Sequence, residues 1–125
     1  MTEPREVAVQ ALYEADILGS PHVWAQLTGK AQRLTRGVIE DLGAIDEALE
    51  RVSDHWAVDR MPVVDRVILR LAVFELANEP DTPTAVIISE AVRIAKVFST
   101  EKSGKFVNGV LGALAAQIRT SKASE

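Results

Sequence analysis

The stretch PVVDRVILRLAVFELAN, residues 62–78, decides the fold, because its hydrophobic side chains surround a helix instead of marking one face of it. Proline suits the first position of a helix, since that residue's N–H has no partner within the helix. The few polar side chains that follow are Asp65, Arg66, Arg70, Glu75 and Asn78. A helix that is apolar nearly all round lies in the middle of a bundle. We therefore predict a buried central helix here.

The segments on both sides of this stretch also predict helices. Hydrophobic residues recur at a period of about 3.6 and sustained two-residue alternation is absent. The predicted helices cover 4–18, 30–54, 83–98 and 103–118, with a short helical segment at 22–27. Gly37 and Gly43 mark places where the long helix 30–54 can kink, and Thr82 and Ser103 are the predicted N-caps.

These helices and their mostly short connections predict an all-α fold, a compact bundle of two packed helical subdomains. The predicted subdomains cover about 4–54 and 62–118, and residues 119–125 are expected to form a flexible tail.

Length and composition limit the class of protein. A chain of 125 residues is expected to be one domain with a core of its own. It contains no cysteine, so disulfides and thiolate metal sites are excluded. It shows no stretch of 18 uninterrupted apolar residues and no signal-peptide pattern at the start. We therefore expect a cytoplasmic protein.

Charge is distributed unevenly along the chain. The net charge is −4, which taken alone disfavours a nucleic-acid binder. Residues 37–81, however, hold eleven acidic against four basic side chains, a net charge of −7. Residues 92–122 hold six basic side chains against one acidic side chain, a net charge of +5. Such segregation is compatible with a cationic face for an anionic ligand, and equally with lysines that merely solvate two helices.

Residues that suit catalysis or metal binding are few. The two histidines, His22 and His55, fall in predicted connectors, and no glycine-rich phosphate loop is present. Asp54 and His55 beside Asp59 form the only conceivable cluster, which we interpret as a solvated helix end. The sequence thus predicts neither an enzyme nor a cofactor.

The stretch EKSGKFVNGVL, residues 101–111, favours a binding function. Lys102 and Lys105 stand at a helix start, where free N–H groups and the helix dipole also attract anions. An aromatic ring beside lysines, as in Phe106, is typical of single-stranded RNA binding, although the ring could instead anchor the core. Asn108 is either buried with partners or exposed to RNA.

Small residues follow in the same predicted helix. Gly109, Gly112, Ala113 and Ala116 form a ridge, which we interpret as a site of close helix–helix packing.

Four stretches together give the chain a family likeness: REVAVQALYEAD (5–16), DRMPVVDRVILRLAVFEL (59–76), PTAVIISEAVRIAKVFS (83–99) and SGKFVNGVL (103–111). They resemble, in order and over nearly the whole length, the bacterial transcription antitermination protein NusB family. The resemblance implies an all-helical fold without catalytic activity. It also implies binding to the boxA element of ribosomal RNA leaders as a heterodimer with NusE, a small-subunit ribosomal protein. The complex would load onto RNA polymerase and suppress termination.

The resemblance also assigns roles to individual residues. By matching position, it implies RNA contacts for Arg5, Gln10, Lys102, Lys105, Phe106 and Asn108. It implies NusE contacts for Tyr13, Glu75 and Glu79. An acidic patch for a basic ribosomal protein agrees with the net charge of −7 over residues 37–81. Some family members form homodimers that mask the RNA surface, so the oligomeric state stays open.

The chain departs from the family pattern at its start. Family members usually begin with a run of arginines, whereas this chain has Arg5 alone, and fewer phosphate contacts imply weaker RNA binding. Lys102 stands where an acidic residue is common and is expected to offset part of that loss. The alternatives are a stand-alone RNA-binding accessory domain, like that of some ribosomal RNA cytosine methyltransferases, and a helical protein–protein adaptor.

Overall fold

A computed structural model describes residues 3–20, 22–52 and 57–123, with side chains described as far as residue 119. Six α-helices form the described part: α1 Pro4–Leu18, α2 Gly29–Glu40, α3 Leu42–Val52, α4 Val63–Asn78, α5 Thr84–Phe98 and α6 Glu101–Ala123. Short 3₁₀ turns lie at Val23–Gln26 and Val58–Arg60. No strand occurs within these ranges, so the all-α prediction is confirmed. The predicted Asp54–His55 cluster lies outside the described residues.

Helix α4 is the central helix of the bundle, as its sequence predicts. Every residue from Asp65 to Leu76 except Arg70 is buried. The helix packs against each of the other five helices. One continuous hydrophobic core draws residues from all six helices. The division into two subdomains stays a prediction.

The predicted single helix over 30–54 is wrong, because the chain breaks between α2 and α3 at Asp41. Asp41 closes α2 by donating its N–H to the Gly37 carbonyl, and its own carbonyl accepts from Ile45 at the start of α3. Beyond α4, α2 packs on α1, whereas α3 packs on α6. The two halves bury faces against different neighbours, which one straight helix cannot do. Gly43 lies just past the break and further weakens helical continuity.

Gly37 does have a packing role. A Cβ atom at this position would overlap the ring of Phe74, so glycine lets α2 approach α4 closely. No equivalent contact surrounds Gly43.

The predicted ends of α5 and α6 also need correction. Pro83 occupies the N-cap position of α5 and Thr82 makes no cap. Helix α6 begins at Glu101 because Thr100 caps it, its Oγ1 accepting from the Ser103 N–H at 3.0 Å. Helix α6 continues past the expected end at Ile118 to Ala123.

Candidate nucleic-acid interface

The first two turns of α6 present the exposed cations that the sequence predicts. Lys102 and Lys105 are exposed and make no ion pair with any described residue. Asn108 is also exposed and lies one turn beyond Lys105 on the same side of the helix. This settles the burial of Asn108, whose amide faces solvent and needs no partner in the protein. The three side chains form one polar edge, which we call the α6 edge.

The other described basic side chains of the +5 segment, Arg93, Lys96 and Arg119, already have partners. Arg93 pairs with Glu3, Glu6 and Glu90, and the hydrogen bond from Arg93 is the main cause that lowers the pKa of Glu90. The Lys96 Nζ lies 3.6 Å from the Glu101 Oε2, so these two side chains form an ion pair. Among the basic side chains that the structure describes in this segment, those without an ion-pair partner therefore lie at the start of α6.

Arg119, the first residue of the predicted flexible tail, has a structural role. Its guanidinium donates to the carbonyls of Leu76, at 2.9 Å, and Glu79, at 3.2 Å. These carbonyls lie at the end of α4, where backbone acceptors lack partners within the helix and the dipole favours a cation. Arg119 thus caps α4 from a different helix.

A cavity of about 350 Å³ opens among α1, α2, α3 and α4, and a second cavity of about 290 Å³ adjoins the α6 edge. Residues from the starts of α4 and α6 line this second cavity: Pro62, Asp65, Thr100, Lys102, Ser103 and Phe106. Phe106 is half-buried and packs against the core while forming part of the cavity wall. It therefore contributes to the core while part of its ring lines the cavity, and its role in RNA binding stays a prediction.

Asp65 is a residue that sequence reasoning did not assign to any site. Its side chain is only 4% exposed, and its Oδ1 has no hydrogen-bond partner among the described residues. Burial raises the pKa of the Asp65 carboxyl, and a hydrogen bond from Ser103 opposes that rise only in part. The sequence did mark Asp65 as unusual, because a carboxylate in an otherwise apolar central helix requires a hydrogen-bond partner.

Arg5 and Glu75, assigned by resemblance to two different surfaces, pair with each other in the interior. Arg5 is 8% exposed and Glu75 2% exposed. The Arg5 Nε lies 3.1 Å and 3.0 Å from the two carboxylate oxygens, and one terminal nitrogen lies 2.9 Å from Oε1. Burial lowers the pKa of Arg5, but the hydrogen bonds and charge of Glu75 outweigh it, so the net shift is upward.

The burial of this pair argues against both assignments. An arginine that is 8% exposed and held by a buried carboxylate is poorly placed to reach an RNA phosphate, and a carboxylate that is 2% exposed presents little surface to a protein partner. The local cause is the start of α1, where the Glu3 carboxylate caps the N–H groups of Arg5 and Glu6 and fixes the first turn against α4 and α5.

The remaining predicted contact residues lie on the surface. Gln10 is exposed, and Tyr13 is 42% exposed. Glu79 is partly exposed and pairs with Arg33 of α2. Their predicted roles in binding stay predictions.

A further ion network ties α1, α3 and α4 together. Arg66 donates to Asp16 at 2.6 Å, and Arg70 donates to Asp16 at 3.2 Å. Arg70 also forms a two-pronged pair with Asp46, each distance being 2.9 Å. These polar residues of the central helix therefore hold neighbouring helices in place.

The predicted close-packing ridge of α6 is wrong. Gly109, Gly112, Ala113 and Ala116 are exposed, and no atom lies within 4 Å of a Cβ built at Gly109 or Gly112. The buried stripe of α6 is instead formed by Val107, Leu111, Leu114 and Ala115.

Comparison with known proteins identifies the family. The family model for NusB matches residues 2–116. The chain belongs to the NusB family. The transcription antitermination protein NusB of Sorangium cellulosum is 43% identical over 126 aligned residues, which cover 91% of this chain and 90% of that protein. The NusB of Anaeromyxobacter dehalogenans strain 2CP-1 is 40% identical and covers 99% and 96%.

Solved NusB structures share the fold. The structure of T. maritima NusB matches with a TM-score of 0.85 and 34% identity, over the full length of both chains. A chain in the crystal structure of the antitermination factors NusB and NusE in complex with double-stranded RNA matches with a TM-score of 0.77 and 28% identity. That match covers 91% of this chain and 94% of the other. Within the described part of this NusB-family chain, no helix is long and apolar enough to cross a membrane.

Proposed function

We propose that this chain is a transcription antitermination factor that recognises boxA RNA of ribosomal RNA leaders together with NusE. The observation that carries the proposal is the match to a chain crystallised with NusE and RNA, which covers 91% of this sequence. The proposed complex acts on RNA polymerase in the cytoplasm, and the chain itself catalyses no reaction.

The α6 edge is the proposed centre of the RNA surface. Lys102 and Lys105 are exposed and unpaired within the described structure, so their ammonium groups are available to phosphates. Phe106 and Asn108 adjoin them, and Gln10 of α1 is a further proposed contact. Arg5 is left out because Glu75 holds it in the interior.

Tyr13 and Glu79 are the proposed NusE contacts. Tyr13 offers a half-exposed ring with a polar tip, which suits a protein interface. Glu79 retains part of its carboxylate at the surface, whereas Glu75 does not.

The test is fluorescence anisotropy with labelled boxA RNA, titrated with salt, with and without NusE. We expect weak binding by the chain alone and tighter binding with NusE. Replacing Lys102 and Lys105 by alanine removes two phosphate contacts, so the slope of log K against log salt falls by about 1.4 for single-stranded RNA.

A matched control removes the same charge elsewhere. Lys30→Ala with Arg51→Ala is expected to leave that slope within about 0.3 of the wild-type value. No preference for boxA over a scrambled RNA, with NusE present, would refute the proposed function and favour the adaptor alternative.

A further inference from the structure

The cavity beside the α6 edge combines features that suit one particular type of ligand. Its volume is about 290 Å³, close to the lower end for small-molecule pockets and sufficient for one flat ring system. Pro62 and Phe106 supply apolar wall, while Asp65, Thr100 and Lys102 supply polar groups. The starts of two helices therefore converge on a small, mixed pocket.

Besides the hydrogen bond from Ser103, the Asp65 carboxylate requires a donor for its Oδ1. It is 96% buried, since its exposed fraction is 4%, and Oδ1 has no partner among the described residues. Leaving a buried acceptor unpaired costs free energy, so such groups are normally satisfied by a protein, water or ligand donor.

The nearest candidate cations in the sequence do not satisfy Asp65. Arg66 donates instead to Asp16 and to the backbone carbonyls of Met61 and Val58. Lys102 lines the cavity but makes no ion pair with a described carboxylate. A metal ion is also poorly served, because a hard cation needs several oxygen ligands and no acidic cluster of three occurs in the described part.

The residues that line the cavity indicate which kind of organic ligand could donate to Asp65. An aromatic ring in the wall favours a flat ring as ligand, and a lysine at the rim favours a phosphate attached to it. A carboxylate that accepts from an amino group is a recognised way of reading cytosine N4. These three features together describe a nucleotide whose base carries an exocyclic amino group.

We propose that this cavity holds one unpaired RNA base, whose exocyclic amino group donates to Asp65 Oδ1 while its ring packs against Phe106 and its phosphate lies near Lys102. The inference rests on the proposed RNA-binding function and deepens it by assigning a base-reading residue. A uracil is disfavoured, because its O4 would bring an acceptor towards a carboxylate.

Cytosine and uracil provide a matched pair of probes, because at position 4 one carries an amino donor and the other a carbonyl acceptor. We expect labelled r(C)10 to bind about tenfold more tightly than r(U)10, which corresponds to about 1.4 kcal/mol. In Asp65→Asn the ratio should fall to about two or less, because the amide can accept from cytosine or donate to uracil.

The exposed Asp59 provides the control for net charge. Asp59→Asn makes the same charge change as Asp65→Asn outside the cavity, so it should strengthen binding to both probes and keep the tenfold ratio. Amide NMR of the wild-type chain provides a second measurement that needs no variant. We expect r(C)10 to shift the backbone signals of Thr100 and Ser103 more than r(U)10 does.

A wild-type ratio near one would overturn the inference, and so would a tenfold ratio that survives Asp65→Asn. It would equally be overturned if the r(C)10-induced shifts lay away from the cavity. These outcomes differ from failure of the proposed function, in which boxA RNA itself shows no preferential binding with NusE. If a protein partner's cation fills the cavity instead, the RNA ratio stays near one.

Discussion

The buried Arg5–Glu75 pair leads to a strong prediction about stability. Replacing Glu75 by Gln removes the negative charge but keeps a side chain of similar size. Arg5 is then a buried guanidinium, 8% exposed, without its counter-charge. Breaking a buried pair costs about 3–5 kcal/mol, and we expect about 3 kcal/mol because the amide oxygen still accepts one hydrogen bond.

The assay is urea unfolding followed by circular dichroism, with the midpoint and slope measured separately. Glu40→Gln is the matched control, because Glu40 pairs with Arg36 at 2.7 Å with both side chains more than half exposed. An exposed pair of this kind contributes about 0.3–0.5 kcal/mol. The loss in free energy of unfolding caused by Glu→Gln should therefore be several-fold larger at position 75 than at position 40.

A double variant tests the cause. Arg5→Met combined with Glu75→Leu removes both charges and fills the space with apolar atoms. Such replacements are often neutral or stabilising, so the double variant should recover most of the stability lost in Glu75→Gln. A loss below about 1 kcal/mol in Glu75→Gln, or a double variant as unstable as the single variant, would refute the reasoning.

Further predictions concern α6, α2 and the cavity. Phe106→Ala should lower the free energy of unfolding by about 1–3 kcal/mol, less than a fully buried ring, and should also weaken RNA binding in anisotropy. Gly37→Ala should cost about 1–3 kcal/mol in urea unfolding, because its Cβ overlaps the Phe74 ring. Gly109→Ala should instead stabilise by about 0.5–1 kcal/mol, since its Cβ meets no atom within 4 Å. Asp65→Asn should be more stable than wild type at pH 7, with the difference shrinking as the pH falls towards 3.8, the ordinary pKa.

The sign of the pH effect follows from proton binding. Burial raises the folded-state pKa of Asp65, so between 3.8 and that raised value the folded chain binds more protons than the unfolded chain. Wild-type stability therefore rises as pH falls through this window, and the advantage of the neutral amide disappears. A constant difference across the window would contradict this account. For the glycines, a destabilised Gly109→Ala would restore the close-packing interpretation.

Much of the fold was predictable from hydrophobic periodicity. The central position of α4 follows from the scarcity of polar residues in 63–78, and α1 begins and ends where Pro4 and Gly19 indicate. The break at Asp41 was not predictable, because both halves of 30–54 carry helical patterns. Only the three-dimensional arrangement shows that they must face different neighbours.

The site was predictable in part. Exposed lysines at a helix start are visible in the sequence, and Lys102 and Lys105 are indeed exposed. The burial and pairing of Arg5 and Glu75 could not be predicted from the sequence, because the two residues are 70 positions apart. Likewise, glycine in α6 has the same sequence signature whether it faces a neighbouring helix or solvent, and burial alone distinguishes the two.

The cap that Arg119 places on α4 makes the end of this helix depend on a residue that is synthesised much later. A ribosome makes the protein from its first residue onwards, and the end of α4 is synthesised some 40 residues before the arginine that satisfies its carbonyls. Until Arg119 is made, the Glu79 carbonyl can accept only from the nearby Thr82 N–H or from water, and the Leu76 carbonyl lacks its Arg119 donor. The last turn of the central helix is therefore completed only after most of α6 has been made, and protection of its last amides from hydrogen exchange should arise together with that of α6.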